Sequence, residues 1–199
     1  MHSTNCKVKE REGSVEDKRI LQLFEDTGAL LSGHFKLSSG LHSGNYFQCA
    51  LLLQNPKIAE KLCRQLADYF KKENPTCVIA PALGGVIVSY ETARVLGVKS
   101  LFTERVEGKM CLRRGFELKK EDRVLIVEDV ITTGLSTNEV LEVVKSKGAK
   151  LVGVGCVVDR SGKFLDFGVE LKSVAKLDFP VYKQEDCPLC KKGIEINKP

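Results

Sequence analysis

Val124-Leu-Ile-Val-Glu-Asp-Val-Ile-Thr-Thr-Gly-Leu-Ser-Thr-Asn-Glu-Val140 decides the fold of this chain. Four apolar residues run into paired carboxylates, Glu128 and Asp129. Val130 and Ile131 follow, then Thr132-Thr133-Gly134 and a segment opened by Ser136. A short apolar run bounded by turn residues suits a buried strand of a parallel sheet. Ser136 with Glu139 three residues on has the form of a capping box, and Lys147-Gly148 is a stop signal. Strand, polar loop, helix is the predicted local structure. Such a loop holds free backbone N–H groups at the positive end of a helix, which suits a phosphate. Carboxylates beside a phosphate cradle make sense only if the ligand also offers hydroxyls, or a metal that offsets the repulsion.

A ribose 5-phosphate meets that description. Thr132, Thr133, Gly134 and Ser136 can surround the phosphate while Glu128 and Asp129 accept hydrogen bonds from the ribose hydroxyls. The loop lacks the Gly-Lys-Ser/Thr of a Walker A motif and the spaced glycines of a dinucleotide fingerprint.

Outward from this unit, the same alternation repeats. Ser14 caps a predicted helix from Val15 to about Asp26, with Gly28 beyond. Residues 33–50 read as two short strands around Ser38-Ser39-Gly40. Asn55-Pro56 starts a helix to about Lys72, with Ile58, Leu62, Leu66 and Tyr69 at helical spacing. Cys77 to Ala80 is a strand, Leu83-Gly84-Gly85 a tight turn, Val86 to Leu96 a helix ended by Gly97. A further strand begins at Lys99. Glu104 to Lys120 reads as a mobile charged loop followed by a strand at Arg114 to Leu118. Lys150 to Val158 and Val169 to Val174 read as strands, and the tail as a turn or short helix. From residue 56 on, alternating strands and helices imply an α/β fold: a central parallel sheet flanked by helices on both faces. Ligands in such sheets bind at the carboxyl ends of the strands, where the Thr132 loop, the Gly84-Gly85 turn and the Arg105 loop all emerge.

The bulk properties set limits. The 199 residues allow one domain with a small appendage; 43% hydrophobic and 29% charged content is ordinary for a globular protein. A formal charge of +5 without a basic block fits an anionic small molecule and gives no support to nucleic acid. No apolar stretch approaches membrane-spanning length, and the polar start MHSTNCKVKEREGS offers no signal region, so a cytoplasmic location is expected. Of eight cysteines, only Cys187-Pro-Leu-Cys190 has metal or redox spacing. That pair is half a zinc site. His2, His34 and His42 lie far away in sequence, so it reads as a terminal turn and no residue is assigned as a metal ligand.

The Thr132 segment resembles the phosphoribosyl-pyrophosphate (PRPP) signature of type I phosphoribosyltransferases. Nearly the whole chain resembles the longer bacterial branch of the orotate enzymes in that family. Gly33-His-Phe-Lys-Leu-Ser-Ser-Gly40 with Tyr46-Phe47 is similar to their N-terminal hood over the base. Glu104-Arg-Val-Glu-Gly-Lys109 is similar to their flexible catalytic loop, and Val157-Val-Asp-Arg160 to their orotate-contacting strand end. The resemblance implies one phosphoribosyltransferase domain over residues 1–199, with hood elements at about 14–50 and in the tail. It implies transfer of phosphoribosyl from PRPP to orotate, giving orotidine 5-phosphate and pyrophosphate in pyrimidine nucleotide synthesis. Tyr46 and Phe47 would wall the base, Arg160 would pair with the orotate carboxylate, and Gly84 and Gly85 would lie beside the substrate. Arg105, Lys109 and Asp129 would be catalytic. Magnesium would bind mainly through PRPP and pyrophosphate oxygens. A homodimer sharing the loop across its interface is implied too.

Some residues depart from that pattern. Val106 and Cys111 replace a lysine and a histidine common in the loop, Ser38 replaces a hood lysine, and Gly84 a lysine in the turn after the first sheet strand. Arg113 and Arg114 are candidates to restore charge. Two other readings keep the fold: a phosphoribosyltransferase for another base, and a non-catalytic regulator binding PRPP or RNA. Arg160 argues against the first, since a neutral base needs no guanidinium. The roughly thirteen residues before the first helix argue against a helix-turn-helix in the second.

Overall fold

A computed structural model describes residues 14–37, 39–162 and 164–197. Ser38, Cys6 and His2 lie outside the described residues. Helix α1 (Val15–Asp26) starts where expected, with Ser14 and Asp17 forming a reciprocal capping box. Asp17 also accepts from the Lys176 backbone N–H at 2.7 Å, which docks the helix against the sheet. Strands β1 (Leu30–Lys36) and β2 (His42–Phe47) form an antiparallel hairpin, with a register irregularity between Ser32 and Phe35. A short helix, α2 (Cys49–Leu53), was not expected from the sequence; five residues are too few to show a period. In α3 (Pro56–Phe70) the buried stripe is Ala59, Leu62, Cys63, Leu66, Ala67 and Phe70, so Tyr69 faces outward rather than inward.

The larger sheet has the order β5-β4-β3-β6-β7-β8. Its parallel members are β3 (Cys77–Pro81), β4 (Lys99–Val106), β6 (Arg123–Ile131), β7 (Lys150–Asp159) and β8 (Leu171–Lys176). Helices α4 (Gly85–Leu96) and α5 (Leu135–Ser146) follow β3 and β6. Side-chain alternation divides the core. Val78, Ala80, Leu125 and Val127 join α3 and α4 on one face, while Cys77, Ile79, Val124 and Ile126 join Val140, Leu141 and Val144 of α5 on the other. From β3 the chain runs outward to β4 on one side, then crosses back to β6 on the other. The β3/β6 junction is therefore the switch point, where a crevice opens at the strand ends.

The charged segment differs from its expected form. β4 continues through Val106 and turns at Glu107-Gly108 into β5 (Lys109–Leu112), an antiparallel edge strand with Val106 opposite Lys109. Both turn residues have positive φ, 49° and 80°, as a two-residue hairpin turn of type I′ demands. No strand forms at 114–118, because Arg114 (φ 61°) and Gly115 (φ 74°) break the extended backbone. Arg114 forms a bidentate pair with Glu104, both contacts 2.7 Å, so its charge is neutralised locally rather than offered to a ligand.

The tail returns to the hood. β9 (Val181–Tyr182) adds to β2, giving a three-stranded sheet β1-β2-β9, and α6 (Pro188–Lys191) follows with Cys187 as its cap. The Asn197 N–H donates to the His34 carbonyl at 2.6 Å. This return overturns the reading of Cys187 and Cys190 as an isolated terminal turn: His34 and His42, remote in sequence, are their neighbours in space.

Candidate active site

The switch point carries a cavity of about 330 Å³ lined by Glu128, Thr132, Thr133, Gly134 and Ser136, with Arg105 and Ser39 also in its wall. β6 delivers the acids at its end, and α5 begins directly after the loop. Gly134 caps α5 in the left-handed region (φ 76°), and no side chain caps the helix. The expected capping box does not form. Ser136 is already inside the helix, and Glu139 turns outward to take Arg105, at 2.8 Å through Nη1. An uncapped helix start leaves its first N–H groups facing the cavity, which is what an anion requires.

Glu128 is 7% exposed and its carboxyl is held well above the usual range, by burial first and by Asp129 second. Burial raises Asp129 as well, offset in part by the Val130 N–H, which donates to it at 2.8 Å. Neither acid has a cation partner among the described residues' ion pairs. Across the switch point lies the β3–α4 turn, whose Ala82-Leu83 peptide is cis. A Cβ at Gly84 would sit 2.5 Å from Asp129 Oδ2, so this glycine is what lets the carboxylate lie against the turn. Gly85 packs beneath it, where a Cβ would meet that of Ala80 at 2.7 Å.

Arg160 follows β7, its N–H donating to the Ile131 carbonyl at 2.8 Å. It is no surface cation: the residue is 8% exposed, and its guanidinium lies 4.8 Å from the Phe47 ring centroid and 5.7 Å from that of Phe179. One Nη donates to Ser43 Oγ at 3.4 Å, and Nε has no partner among the described residues. Burial pulls its pKa down to about 10, with Asp178 partly offsetting. A cation so desolvated and so thinly satisfied is matched to an anion. Tyr46 stands between the two halves of the site. Its phenol is raised by burial and then by Asp129, and its ring lies 5.5 Å from that of Phe35. Phe47 points the other way, into the core against Phe24 and Phe179; it supports the guanidinium from below.

Residues 50–166 match the phosphoribosyl transferase domain family. The chain is 52% identical over 182 residues to an orotate phosphoribosyltransferase of Desulforamulus reducens, spanning 92% of this chain and 95% of that one. It is 52% identical over 180 residues to that of Thermotoga maritima, spanning 90% and 96%. The crystal structure of the Aeropyrum pernix orotate phosphoribosyltransferase superposes with a TM-score of 0.63 at 29% identity, over 78% of this chain and 92% of that one. The chain belongs to the orotate phosphoribosyltransferase family.

The departures from other orotate phosphoribosyltransferases now have places. Gly84 gives the room a side chain would occupy to Asp129. Val106 and Cys111 both lie on the β4–β5 hairpin, as do Arg105 and Lys109. Of these two cations Arg105 reaches the cavity wall; Lys109 is exposed near the hairpin tip and is not among the lining residues. Ser39, Thr137, Ser43, Phe179 and Glu139 were not anticipated as site residues. Their signal was weak: each sits in an ordinary local pattern and is brought to the site only by the fold.

Proposed function

We propose that this chain transfers the phosphoribosyl group of PRPP to orotate, releasing pyrophosphate and forming orotidine 5-phosphate. The observation that carries this reading is the buried, unpaired guanidinium of Arg160 beside an acid pair and an uncapped helix start. Phosphate at the Thr132–Ser136 amides and ribose hydroxyls at Glu128 and Asp129 place the anomeric carbon near Tyr46. The orotate carboxylate then meets Arg160, for which a planar fork is well suited. Orotate N1 forms the new bond to the anomeric carbon as the bond to pyrophosphate oxygen breaks; the leaving group carries away the electron pair and the N1 proton is lost to solvent or to the departing pyrophosphate. Arg105 stands where that charge develops, with Lys109 on the same hairpin.

The acids fit a hard divalent cation that draws most of its oxygen ligands from substrate and water. Glu128 and Asp129 are the residues that would hold magnesium beside the substrate, and its charge would supply leaving-group stabilisation when bound. We further propose a homodimer. Leu83 in the β3–α4 turn and Ile87 and Tyr90 on α4 are exposed apolar residues, at 87%, 41% and 63% exposure.

The test is direct. Purified protein with magnesium and PRPP is given orotate, uracil or adenine in turn, and pyrophosphate release is followed. Release with orotate alone is expected. Release with adenine or uracil, or PRPP binding without release, would overturn the assignment.

A further inference from the structure

Four side chains outside the catalytic cleft converge in the hood. His34, His42, Cys187 and Cys190 each offer one ligand atom, and these atoms all lie within 4.8 Å of one another. Cys190 Sγ is 3.3 Å from His42 Nδ1 and 3.6 Å from His34 Nε2; Cys187 Sγ is 3.6 Å from His34 Nε2. The two imidazole nitrogens are 2.8 Å apart. We propose that these four residues bind a structural zinc ion that fastens the C-terminal tail to the hood.

The spacing is close to what a tetrahedral ion needs. Metal–sulfur bonds of about 2.3 Å and metal–nitrogen bonds of about 2.0–2.1 Å give S···N edges of about 3.5 Å and an N···N edge of about 3.3 Å. The three S···N distances match and the imidazole pair must open by about half an ångström, while the remaining edges, Cys187–Cys190 and Cys187–His42, lie within 4.8 Å. Ring chemistry agrees. His34 Nδ1 lies 2.7 Å from the Ile194 carbonyl, an acceptor only, so Nδ1 carries the proton and Nε2 presents a lone pair to the cluster. That is the outer-shell hydrogen bond by which ligating histidines are oriented. Without an ion, the donors that face those lone pairs among the described residues are weak S–H groups and at most one ring N–H.

Ligand type and charge select the metal. Two thiolates with two imidazoles are a zinc set, and four protein ligands leave no open position, so the site is structural. Two thiolate charges cancel the dication, which suits a place where His34, His42 and Cys187 are all buried. The chain supplies the ligands from two sources: His34 and His42 from the β1–β2 hairpin, Cys187 and Cys190 from the start of α6. The register irregularity between Ser32 and Phe35 breaks strict alternation, so neighbouring His34 and Phe35 are both buried. Closing this site adds a covalent-strength tie between the hood and the tail, which otherwise meet through β9 and contacts such as His34 with Ile194 and Asn197 and Ser43 with Pro180.

Full-length protein, untagged and purified without chelator, is analysed for metal by mass spectrometry. One zinc per chain is expected, released when a mercurial blocks the thiols, with a fall in Tm on the order of 5–10 °C after removal. Cobalt exchanged into the wild type should give the intense visible bands and thiolate charge-transfer absorption of a tetrahedral S₂N₂ site. The Cys190→Ser and His42→Asn variants should lose stoichiometric zinc. If they fail to fold, the wild-type cobalt spectrum still decides. A wild type that takes up less than a tenth of an equivalent after reconstitution, an octahedral cobalt spectrum, or a Cys187–Cys190 disulfide in fresh protein would overturn the proposal. None of these readouts uses catalytic activity, so failure here leaves the orotate assignment untouched.

Discussion

At the scale of single residues, the site is built from charges kept away from partners. Arg160 is buried over two phenylalanine rings with one long hydrogen bond to Ser43. Replacing it by methionine keeps an apolar stem on Phe47 and removes the charge. The Arg160→Met variant should raise the Michaelis constant for orotate about 30-fold or more, the range for losing one partner of a buried charge pair. That for PRPP should change less than about threefold, and Tm should hold or rise, because an uncompensated buried charge is gone. Steady-state kinetics with each substrate varied, together with a melting curve, checks all three; equal effects on both substrates would remove Arg160 from the base site. Glu128 and Asp129 carry the opposite sign of problem. Their folded pKa values are raised, so the free protein binds protons there that the unfolded chain has released. Their contribution to stability is full below the ordinary carboxylate range and is lost as pH rises through the raised values. Ribose hydroxyls and magnesium favour the ionised pair, so binding of PRPP with magnesium should release protons. Calorimetry in buffers of different ionisation enthalpy measures that release, and Asp129→Asn should reduce it.

At the scale of elements, helix α5 and the β4–β5 hairpin do the positioning. Gly134 turns the chain from β6 into α5 in the left-handed region, and a Cβ there would approach Phe167 at 3.0 Å and Leu165 at 3.2 Å. Gly134→Ala should therefore cost about 1–2 kcal/mol in stability and weaken PRPP more than orotate. Chemical denaturation and substrate titration test the two parts. The strand and helix around this turn were readable because a buried parallel strand is a continuous apolar run, and Val124 to Val127 is one. The capping box was not: Ser136 and Glu139 have the right spacing, but Arg105, thirty-four residues away, takes the glutamate. The hairpin was hidden for a related reason. Its turn is Glu107-Gly108, and glutamate at positive φ lacks the Asn-Gly or Asp-Gly signal by which such turns are found. The burial of Arg160 has no local signal, since polar Asp159 and Ser161 flank it in sequence; it comes from Phe47 and Phe179, distant in the chain. The histidine–cysteine cluster joins residues 148 to 156 apart, beyond any local pattern.

At the scale of the whole molecule, the two hairpin cations separate. Arg105 lines the chain's own cavity and is held there by Glu139, whereas Lys109 stands exposed at the far side of the turn. If the proposed dimer covers Leu83, Ile87 and Tyr90, the expectation is that Lys109 serves the partner's cavity while Asp129 serves its own. This arrangement has a statistical consequence. Lys109→Ala alone should lower turnover about 10²-fold with Tm unchanged, since the residue is exposed and its loss removes leaving-group charge stabilisation. Asp129→Asn alone should be similarly impaired. Mixed in equal amounts and allowed to exchange subunits, half of the dimers are hybrids, and each hybrid holds one site with neither lesion. About a quarter of wild-type activity should return. If Lys109 acts within its own chain, every site in the mixture keeps one lesion and activity stays at the level of the single variants. Rate recovery on mixing, followed alongside sedimentation to verify the dimer, therefore separates a shared site from two self-sufficient ones.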